Sequence, residues 1–243
     1  MEFRTNPSLG NPSLGNPSLG VIMLDTAFAR PPGDIGNASS WPFPVCFQVV
    51  PKATARRIVA GQDHDLLDAF VAAGEALVRE GSLGITTSCG FLAVRQRELA
   101  ERLPVPIATS SLMQLPLIER CLPKGLRAGV VTYDADALTS RHFTEVGADP
   151  STPVAGLPPC GRFHGLIERN EAYDREALRA EILDTVRHLR EKHAAIGAIV
   201  LECANLPPFA RDITSTFGLP VYDVITLGRW FYSGLLQSTY PPS

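Results

Sequence analysis

The chain has 243 residues, of which 45% are hydrophobic and 19% are charged, with a formal net charge of −3. Because 22 Lys and Arg stand against 25 Asp and Glu, no basic surplus favours binding to nucleic acid. The longest wholly apolar stretch, at residues 194–201, is shorter than the ~20 residues that a membrane-spanning helix needs. These values predict a soluble globule, with no membrane partner, that is large enough for two compact lobes.

The first 20 residues contain three copies of the pentapeptide Asn-Pro-Ser-Leu-Gly. They lack the charged and apolar regions of a secretory signal, so residues 1–20 are interpreted as a leader outside the fold. Five cysteines at irregular spacing and without a Cys-x-x-Cys pair predict a reducing compartment, for which the cytoplasm is the default. No metal site is expected, because no group of Cys, His and acidic residues has ligand spacing.

Short apolar or β-branched runs alternate along the chain with amphipathic segments. This rhythm is typical of an α/β fold in which helices cover a mainly parallel sheet. The proline-rich and glycine-rich passage at residues 29–51 is predicted to be a loop that forms part of a pocket wall. Strands are predicted at residues 21–24, 83–87 and 198–201, and helices at residues 65–80 and 171–193.

The two halves of the chain match when their positions are counted. Cys89 and Cys203 lie 114 positions apart (203 − 89), and so do Pro106 and Pro220 (220 − 106). The opening strands of the halves match at an offset of 109, as between Asp25 and Asp134 (134 − 25). We therefore expect a first lobe at residues 21–124 and a second at 125–218, with residues 219–243 a candidate to pack back on the first lobe.

Equivalent strands of two facing lobes would bring their carboxyl ends to one cleft, where α/β proteins bind ligands. Each lobe would then contribute one cysteine to an active site between the lobes. Because Cys89 and Cys203 both lie at a strand-to-helix turn, we expect backbone N–H groups and the helix dipole to favour the thiolate. The geometry suits a proton shuttle.

Two segments carry a family resemblance, Ile-Thr-Thr-Ser-Cys-Gly-Phe-Leu at residues 85–92 and Val-Leu-Glu-Cys-Ala-Asn-Leu-Pro-Pro at residues 200–208. Together with Leu-Asp-Thr at residues 24–26, they resemble the aspartate/glutamate racemase superfamily over nearly the whole chain after residue 20. Relatives in that superfamily include hydantoin racemase, maleate isomerase and arylmalonate decarboxylase. The resemblance implies two pseudo-symmetric lobes, Rossmann-like or flavodoxin-like, and no cofactor.

The mechanism that the resemblance implies is inversion of an amino-acid Cα by two bases. One thiolate, of Cys89 or Cys203, removes the proton, and the other thiol delivers a proton to the opposite face. The expected partner is a small carboxylate substrate such as aspartate or glutamate, and a homodimer is left open. The candidate substrate contacts are Asp25, Thr26, Arg30, Thr87, Ser88, Gly90, Phe91, Thr132, Tyr133, Ala204 and Asn205.

Several of the candidate residues have a structural explanation as well as a functional one. Asp25 could orient a cysteine or cap a turn, and the two interpretations are even. Arg30 could bind a carboxylate with two hydrogen bonds or face the solvent from its loop. The other cysteines, Cys46, Cys121 and Cys160, are predicted to be bystanders, and His164 is the only histidine considered for a pocket role.

Three alternatives to an isomerase of the racemase type stay open. A decarboxylase of this fold needs only one cysteine, and an isomerase could use a cysteine as a nucleophile on an unsaturated diacid. The chain could also be a non-catalytic binding scaffold. Gly90-Phe91 and Ala204-Asn205 replace the Thr or Asn-Thr that follows the cysteine in many racemases, so the substrate side chain is open; Phe91 and the proline-rich loop indicate an apolar wall.

Overall fold

The computed structural model describes residues 17–237, so residues 1–16 of the leader predicted at residues 1–20 lie outside the described part, whereas residues 18–20 belong to the fold. The first strand, β1, begins at Ser18 rather than at residue 21. The reason is that Ser18, Leu19 and Gly20 are buried and pair with neighbouring strands. No helix within residues 17–237 is both long enough and apolar enough to cross a membrane.

Within these residues the chain forms two four-stranded parallel sheets. The first has the order β2-β1-β3-β4 and the second the order β6-β5-β7-β8. The central strands are buried on both faces, which is why they read as continuous apolar runs. The strands are β1 (Ser18–Leu24), β2 (Val45–Val50), β3 (Ser82–Thr87), β4 (Ile107–Ala108), β5 (Arg127–Thr132), β6 (Val154–Gly156), β7 (Ile196–Leu201) and β8 (Val221–Tyr222).

The two sheets repeat the same strand register. Gly20 of β1 pairs with Ile85 of β3, and Gly129 of β5 pairs with Ile199 of β7. These partners keep the offsets of 109 (129 − 20) and 114 (199 − 85) found by counting. Both ladders are also irregular at the same place, immediately after Ser18 and immediately after Arg127. The prediction of two pseudo-symmetric α/β lobes is confirmed.

Helices cover both sheets and bury their apolar stripes against them. The predicted helices at residues 65–80 and 171–193 are present as α2 and α7, each a few residues shorter. Short 3-10 helices at Gly90–Arg95 and Pro207–Phe209 follow the two cysteines. The α-helices are α1 (Ala55–Val59), α2 (Leu67–Arg79), α3 (Gln96–Arg102), α4 (Leu115–Cys121), α5 (Ser140–Thr144), α6 (Arg162–Arg169), α7 (Arg175–Lys192), α8 (Ala210–Phe217) and α9 (Val224–Leu235).

The predicted loop at residues 29–51 needs a correction, because its second part is strand β2. The run Val-Cys-Phe-Gln-Val-Val has the β-branched and aromatic residues of a strand, which the nearby prolines obscured. Those prolines fit an edge strand, since Pro44 lies just before β2 and its carbonyl accepts a hydrogen bond from the Leu19 N–H (3.0 Å).

The last part of the chain contacts both lobes. Strand β8 lies at the edge of the second sheet, whereas α9 packs on the first, where Gly84 faces Leu235 and Phe231. Gly228 of α9 lies so close to the Trp41 ring that a β-carbon there would overlap it. Because β8 extends the second sheet beyond residue 218, we propose that the lobes divide near residue 124 and between β8 and α9, with α9 fastening the second lobe to the first.

Polar contacts join the lobes around the cleft. The Ser111 hydroxyl donates to the Leu201 carbonyl at 2.7 Å, and the Gln114 amide donates to the Asp223 carbonyl at 3.0 Å. On another side of the cleft, Arg97 pairs with Glu145 at 3.0 Å. Buried backbone groups at the ends of the strands are thereby satisfied by the other lobe.

The core helix α2 offers a test of the packing. Leu77 is fully buried against the first sheet, and we expect Leu77→Ala to lower the free energy of unfolding by ~2–5 kcal/mol. The matched control is Leu117→Ala on α4, whose side chain is 60% exposed and whose loss should cost ~0.5 kcal/mol or less. Urea unfolding measures both, and equal losses would contradict the described packing.

Candidate active site

Cys89 and Cys203 line a single cavity of about 430 Å³, open mouth included. Each cysteine follows its strand after one intervening residue, which is Ser88 between β3 and Cys89 and Glu202 between β7 and Cys203. Because β3 and β7 are equivalent strands of facing lobes, their carboxyl ends meet at the cleft. Helices α1 and α6, one from each lobe, contribute Ala55, Val59 and Ile167 to the cavity wall.

Most of the predicted substrate contacts lie around this cavity. Those that line it with the two cysteines are Thr26, Arg30, Ser88, Gly90, Phe91, Tyr133, Ala204 and Asn205. The wall is largely apolar, with Leu24, Phe28 and Phe91 on the side of the first lobe. The structure thus brings both cysteine motifs to one place, with Phe91 in the wall, whereas the proline-rich passage at residues 29–51 contributes only Arg30 to the lining.

Three predicted contacts lie outside the lining and need correction. Asp25 is exposed, and its carboxylate accepts a hydrogen bond from the Lys52 N–H (3.0 Å), where the backbone is left-handed (φ 66°). Of its two interpretations, turn capping therefore fits the geometry. The buried Thr87 hydroxyl donates to the Thr109 carbonyl at 2.6 Å, and the buried Thr132 hydroxyl donates to Glu202 at 2.7 Å. Both hydroxyls are committed inside the protein.

Arg30 lines the cavity but is already paired. It donates to Asp34 at 2.8 Å and to the Thr26 hydroxyl at 2.7 Å, and its guanidinium carbon lies 4.5 Å from the centre of the Phe28 ring. The other Asp34 oxygen accepts from the Asn205 amide at 2.7 Å. Asp34 is buried, so this chain of hydrogen bonds links the two lobes beside the cavity.

Asp34 and Glu202 are two site residues to which the sequence analysis assigned no role. Asp34 was hidden in a passage interpreted as a loop, and only its contact with Asn205, 171 positions away, reveals it. Glu202 stood inside the second motif. A charged residue ending a wholly apolar strand is the signal that could have found it, because carboxylates are rarely buried without a partner.

The Glu202 side chain is buried, and its two oxygens differ. Oε2 accepts the hydrogen bond from Thr132, whereas Oε1 has no hydrogen-bond partner within residues 17–237. Burial raises the pKa of Glu202 to about 7, and the hydrogen bond from Thr132 offsets this only in part. The carboxyl packs directly on Gly90, where a β-carbon would overlap both Oε1 and the Glu202 carbonyl oxygen. Only glycine fits beside Cys89 here.

The surroundings of the two thiols raise their pKa values, whereas the sequence analysis expected backbone N–H groups and the helix dipole to favour the thiolate. Burial and then the nearby Glu202 carboxylate raise the pKa of Cys89, and backbone N–H groups of Phe91 and Leu92 lower it by less. Burial and Glu202 likewise raise the pKa of Cys203, and Cys89 contributes as well. Desolvation outweighs the dipole of a single short helical turn. The thiols are also close enough to interact electrostatically.

Tyr133 lines the cavity from the second lobe, and two residues outside the cavity, Glu168 and His164, hold its side chain in place. Its hydroxyl donates to Glu168 at 2.7 Å, and its ring stacks on His164 with centroids 3.9 Å apart. His164 Nε2 also lies 3.0 Å from the Tyr133 carbonyl oxygen. His164 is therefore buried behind the pocket wall and holds Tyr133 in place.

The remaining cysteines lie apart from this cavity. Cys46 is half-buried on β2, and Cys121 and Cys160 are exposed. In the part of the chain that the structure describes, no group of three His, Cys, Asp or Glu residues is arranged to hold a metal ion.

No family model matches the chain. Among curated proteins, it is 29% identical over 225 residues to a dimethylsulfoniopropionate lyase of Durusdinium sp. clade D, covering 90% of this chain and 75% of that protein. It is 28% identical over 243 residues to dimethylsulfoniopropionate lyase 6 of Emiliania huxleyi (strain CCMP1516), covering 96% of this chain but only 61% of that protein.

Solved structures share the fold. Unliganded arylmalonate decarboxylase matches with a TM-score of 0.59 and 18% identity, over 93% of this chain and 96% of that one. Glutamate racemase of Francisella tularensis subsp. tularensis SCHU S4 matches with a TM-score of 0.54 and 13% identity, over 93% and 86%. Aspartate racemase of Picrophilus torridus gives 0.55 and 12%, over 90% and 94%. The chain thus shares the fold of this decarboxylase and these racemases, whereas its sequence is similar to dimethylsulfoniopropionate lyases.

The state of the thiols gives a direct test. We expect iodoacetamide to alkylate Cys121 and Cys160 readily at about pH 8.5, because both side chains are exposed to the reagent. Cys89 and Cys203 should react much more slowly at that pH and accelerate only at higher pH, because burial and Glu202 raise their pKa values. Peptide mass spectrometry across a pH series reads all four sites. Fast labelling of Cys89 or Cys203 at neutral pH would contradict the described electrostatics.

Proposed function

We propose that the chain is a lyase that removes a proton from the carbon beside a carboxylate and expels a leaving group from the next carbon. Dimethylsulfoniopropionate is the first substrate to test. The observation that carries the proposal is that Cys89 and Cys203 line one apolar-walled cavity, in a chain whose sequence relatives are dimethylsulfoniopropionate lyases. These relatives and the fold neighbours bear the names of enzymes, which supports an enzymatic function.

The proposed reaction balances with the residues of the cavity. Once the thiol of Cys89 or Cys203 has given up its own proton, the resulting thiolate takes the substrate proton, and a thiol S–H bond forms as the C–H bond breaks. The electron pair left on carbon becomes the carbon–carbon double bond of acrylate, while the carbon–sulfur bond breaks. The sulfonium sulfur keeps the bonding pair and leaves as neutral dimethyl sulfide.

The charges around the cavity favour such a substrate. Arg30 is the only cationic side chain among the lining residues, and it already pairs with Asp34. Its remaining N–H groups, with the Thr26 hydroxyl, could hold one carboxylate, whereas aspartate or glutamate would bring two carboxylates to a single arginine. A dimethylsulfonium group is cationic and surrounded by methyl groups. It fits a wall of Phe28, Phe91 and neighbouring aliphatic side chains.

A two-base racemase acting on an amino acid or a related carboxylate is the second candidate. It is favoured by the equivalent positions of Cys89 and Cys203 in the two lobes, in a fold shared with glutamate and aspartate racemases. Both reactions begin with the same proton transfer. They differ in the fate of the carbanion, which is reprotonated on its opposite face in one case and expels the sulfur in the other.

The experiment is a proton NMR assay in D2O with dimethylsulfoniopropionate and the intact protein. We expect dimethyl sulfide and acrylate to form in equal amounts. Cys89→Ser and Cys203→Ser should each lower kcat/KM by about 100-fold or more, because loss of a positioned acid or base costs on that scale. Cys121→Ser, at an exposed cysteine, is the matched control and should keep full activity.

A substrate panel separates the other functions. Deuterium entering Cα of an amino acid with loss of chirality, and no elimination from the sulfonium compound, would establish the racemase instead. Release of CO2 from a substituted malonate would establish a decarboxylase, and a cysteine adduct with an unsaturated diacid would establish the isomerase. No turnover of any compound would overturn the proposal and leave a binding scaffold.

A further inference from the structure

We propose that Glu202 is the proton acceptor that returns the cysteine pair to its reactive state after each elimination. This inference rests on the proposed lyase function. It starts from position: Glu202 directly precedes Cys203, and its carboxyl packs on Gly90, which directly follows Cys89. One carboxyl group therefore lies between the two cysteine turns, although the turns belong to different lobes.

The unpaired oxygen of Glu202 indicates that this carboxyl group takes part in proton transfer and does not serve only to stabilise the fold. A buried polar atom without a partner costs ~1–3 kcal/mol and calls for an explanation. Here Oε1 is buried and unpaired within the described residues, while Thr132 holds Oε2. Thr132 thus fixes the carboxyl and leaves its other oxygen uncommitted beside the cysteines.

The groups around Glu202 leave it free to change protonation. From β5 it faces Thr132, from the turn after β3 it faces Gly90 and Cys89, and from its own turn it faces Cys203. In the described part of the chain no cationic side chain contacts the carboxyl to keep it ionised. Burial therefore brings the pKa of Glu202 to about 7, where it can both accept and release a proton at neutral pH.

An elimination releases one proton per turnover, and Glu202 is placed to accept it. A two-base racemase returns to substrate a proton for each one removed, so it releases none. An elimination leaves the substrate's proton on a thiol, and that thiol must lose it before the next turnover. In the proposed step the S–H bond breaks and an O–H bond forms at Glu202 Oε1 through one bridging water, because neither thiol makes a hydrogen bond to Oε1. The proton then leaves to solvent through the cavity mouth.

The test uses Glu202→Gln, which keeps the shape of the side chain and can still accept the hydrogen bond from Thr132. We expect Cys89 and Cys203 to be alkylated several-fold faster at neutral pH, because the negative charge that raises both thiol pKa values is gone. We also expect kcat to fall by about 100-fold with little change in KM, because the amide cannot take a proton. Glu202→Asp should restore part of the turnover.

Thr132→Val tests the same inference through the pH profile. The hydrogen bond from Thr132 lowers the pKa of Glu202, so its loss should raise that pKa. Glu202 must be ionised to accept a proton, and the acid limb of kcat should therefore move to higher pH. A merely structural role for Thr132 would lower activity without moving the limb. Urea unfolding at pH 5 checks that each variant folds.

The outcomes separate this inference from the proposed function. Faster alkylation together with lost turnover supports Glu202 as the acceptor. Unchanged alkylation in Glu202→Gln, or turnover equal to that of the unaltered protein, overturns it. If the unaltered protein eliminates nothing, the proposed function fails, and the inference fails with it even where alkylation still reports coupling between Glu202 and the thiols.

Discussion

The register of two equivalent ladders determines where chemistry can occur in this chain. Parallel strands end at one edge of a sheet, and β3 and β7 hold the same pairing in facing lobes, so the residues after them converge. Everything else at the site depends on that convergence. Two contacts show this dependence: Asn205 donates a hydrogen bond to Asp34, and Glu202 packs on Gly90. Both contacts form only if the second cysteine motif lies at one position along the strands of the first lobe.

Burial gives the converged residues their properties. An isolated thiol at the start of a helical turn would ionise more easily than usual, but Cys89 and Cys203 sit in a desolvated cleft beside a carboxyl group. Desolvation and charge act in the same direction and raise both thiol pKa values. Burying an ionised carboxylate also costs free energy, because the charge loses its hydration. Ionisation of any one of Glu202, Cys89 and Cys203 therefore disfavours ionisation of the other two. In the proposed proton transfer, that coupling lets one proton move between Glu202 and the cysteines.

The amino-acid sequence predicts the positions of the two cysteines better than the contacts of the residues around them. Counting located both cysteines, because a duplicated lobe leaves equal offsets along the chain. The sequence led us to expect Thr132 as a substrate contact, because only the folded structure shows that its hydroxyl donates to Glu202 and not into the cavity. The roles of Asp34 and Glu202 depend on contacts across the lobes, which no local pattern encodes. Strand β2 was hidden for a different reason, since edge strands tolerate the prolines that mark loops.

In the proposed reaction, a cysteine in the cleft breaks a C–H bond beside a carboxylate before the leaving group departs. The most direct measurement is competition between dimethylsulfoniopropionate and the same compound deuterated at the carbon next to the carboxylate. We expect slower consumption of the deuterated substrate, because the transferred proton is then a deuteron. Equal consumption of the two compounds across the pH profile, with full elimination, would contradict proton transfer from that carbon as the step that the cysteines perform.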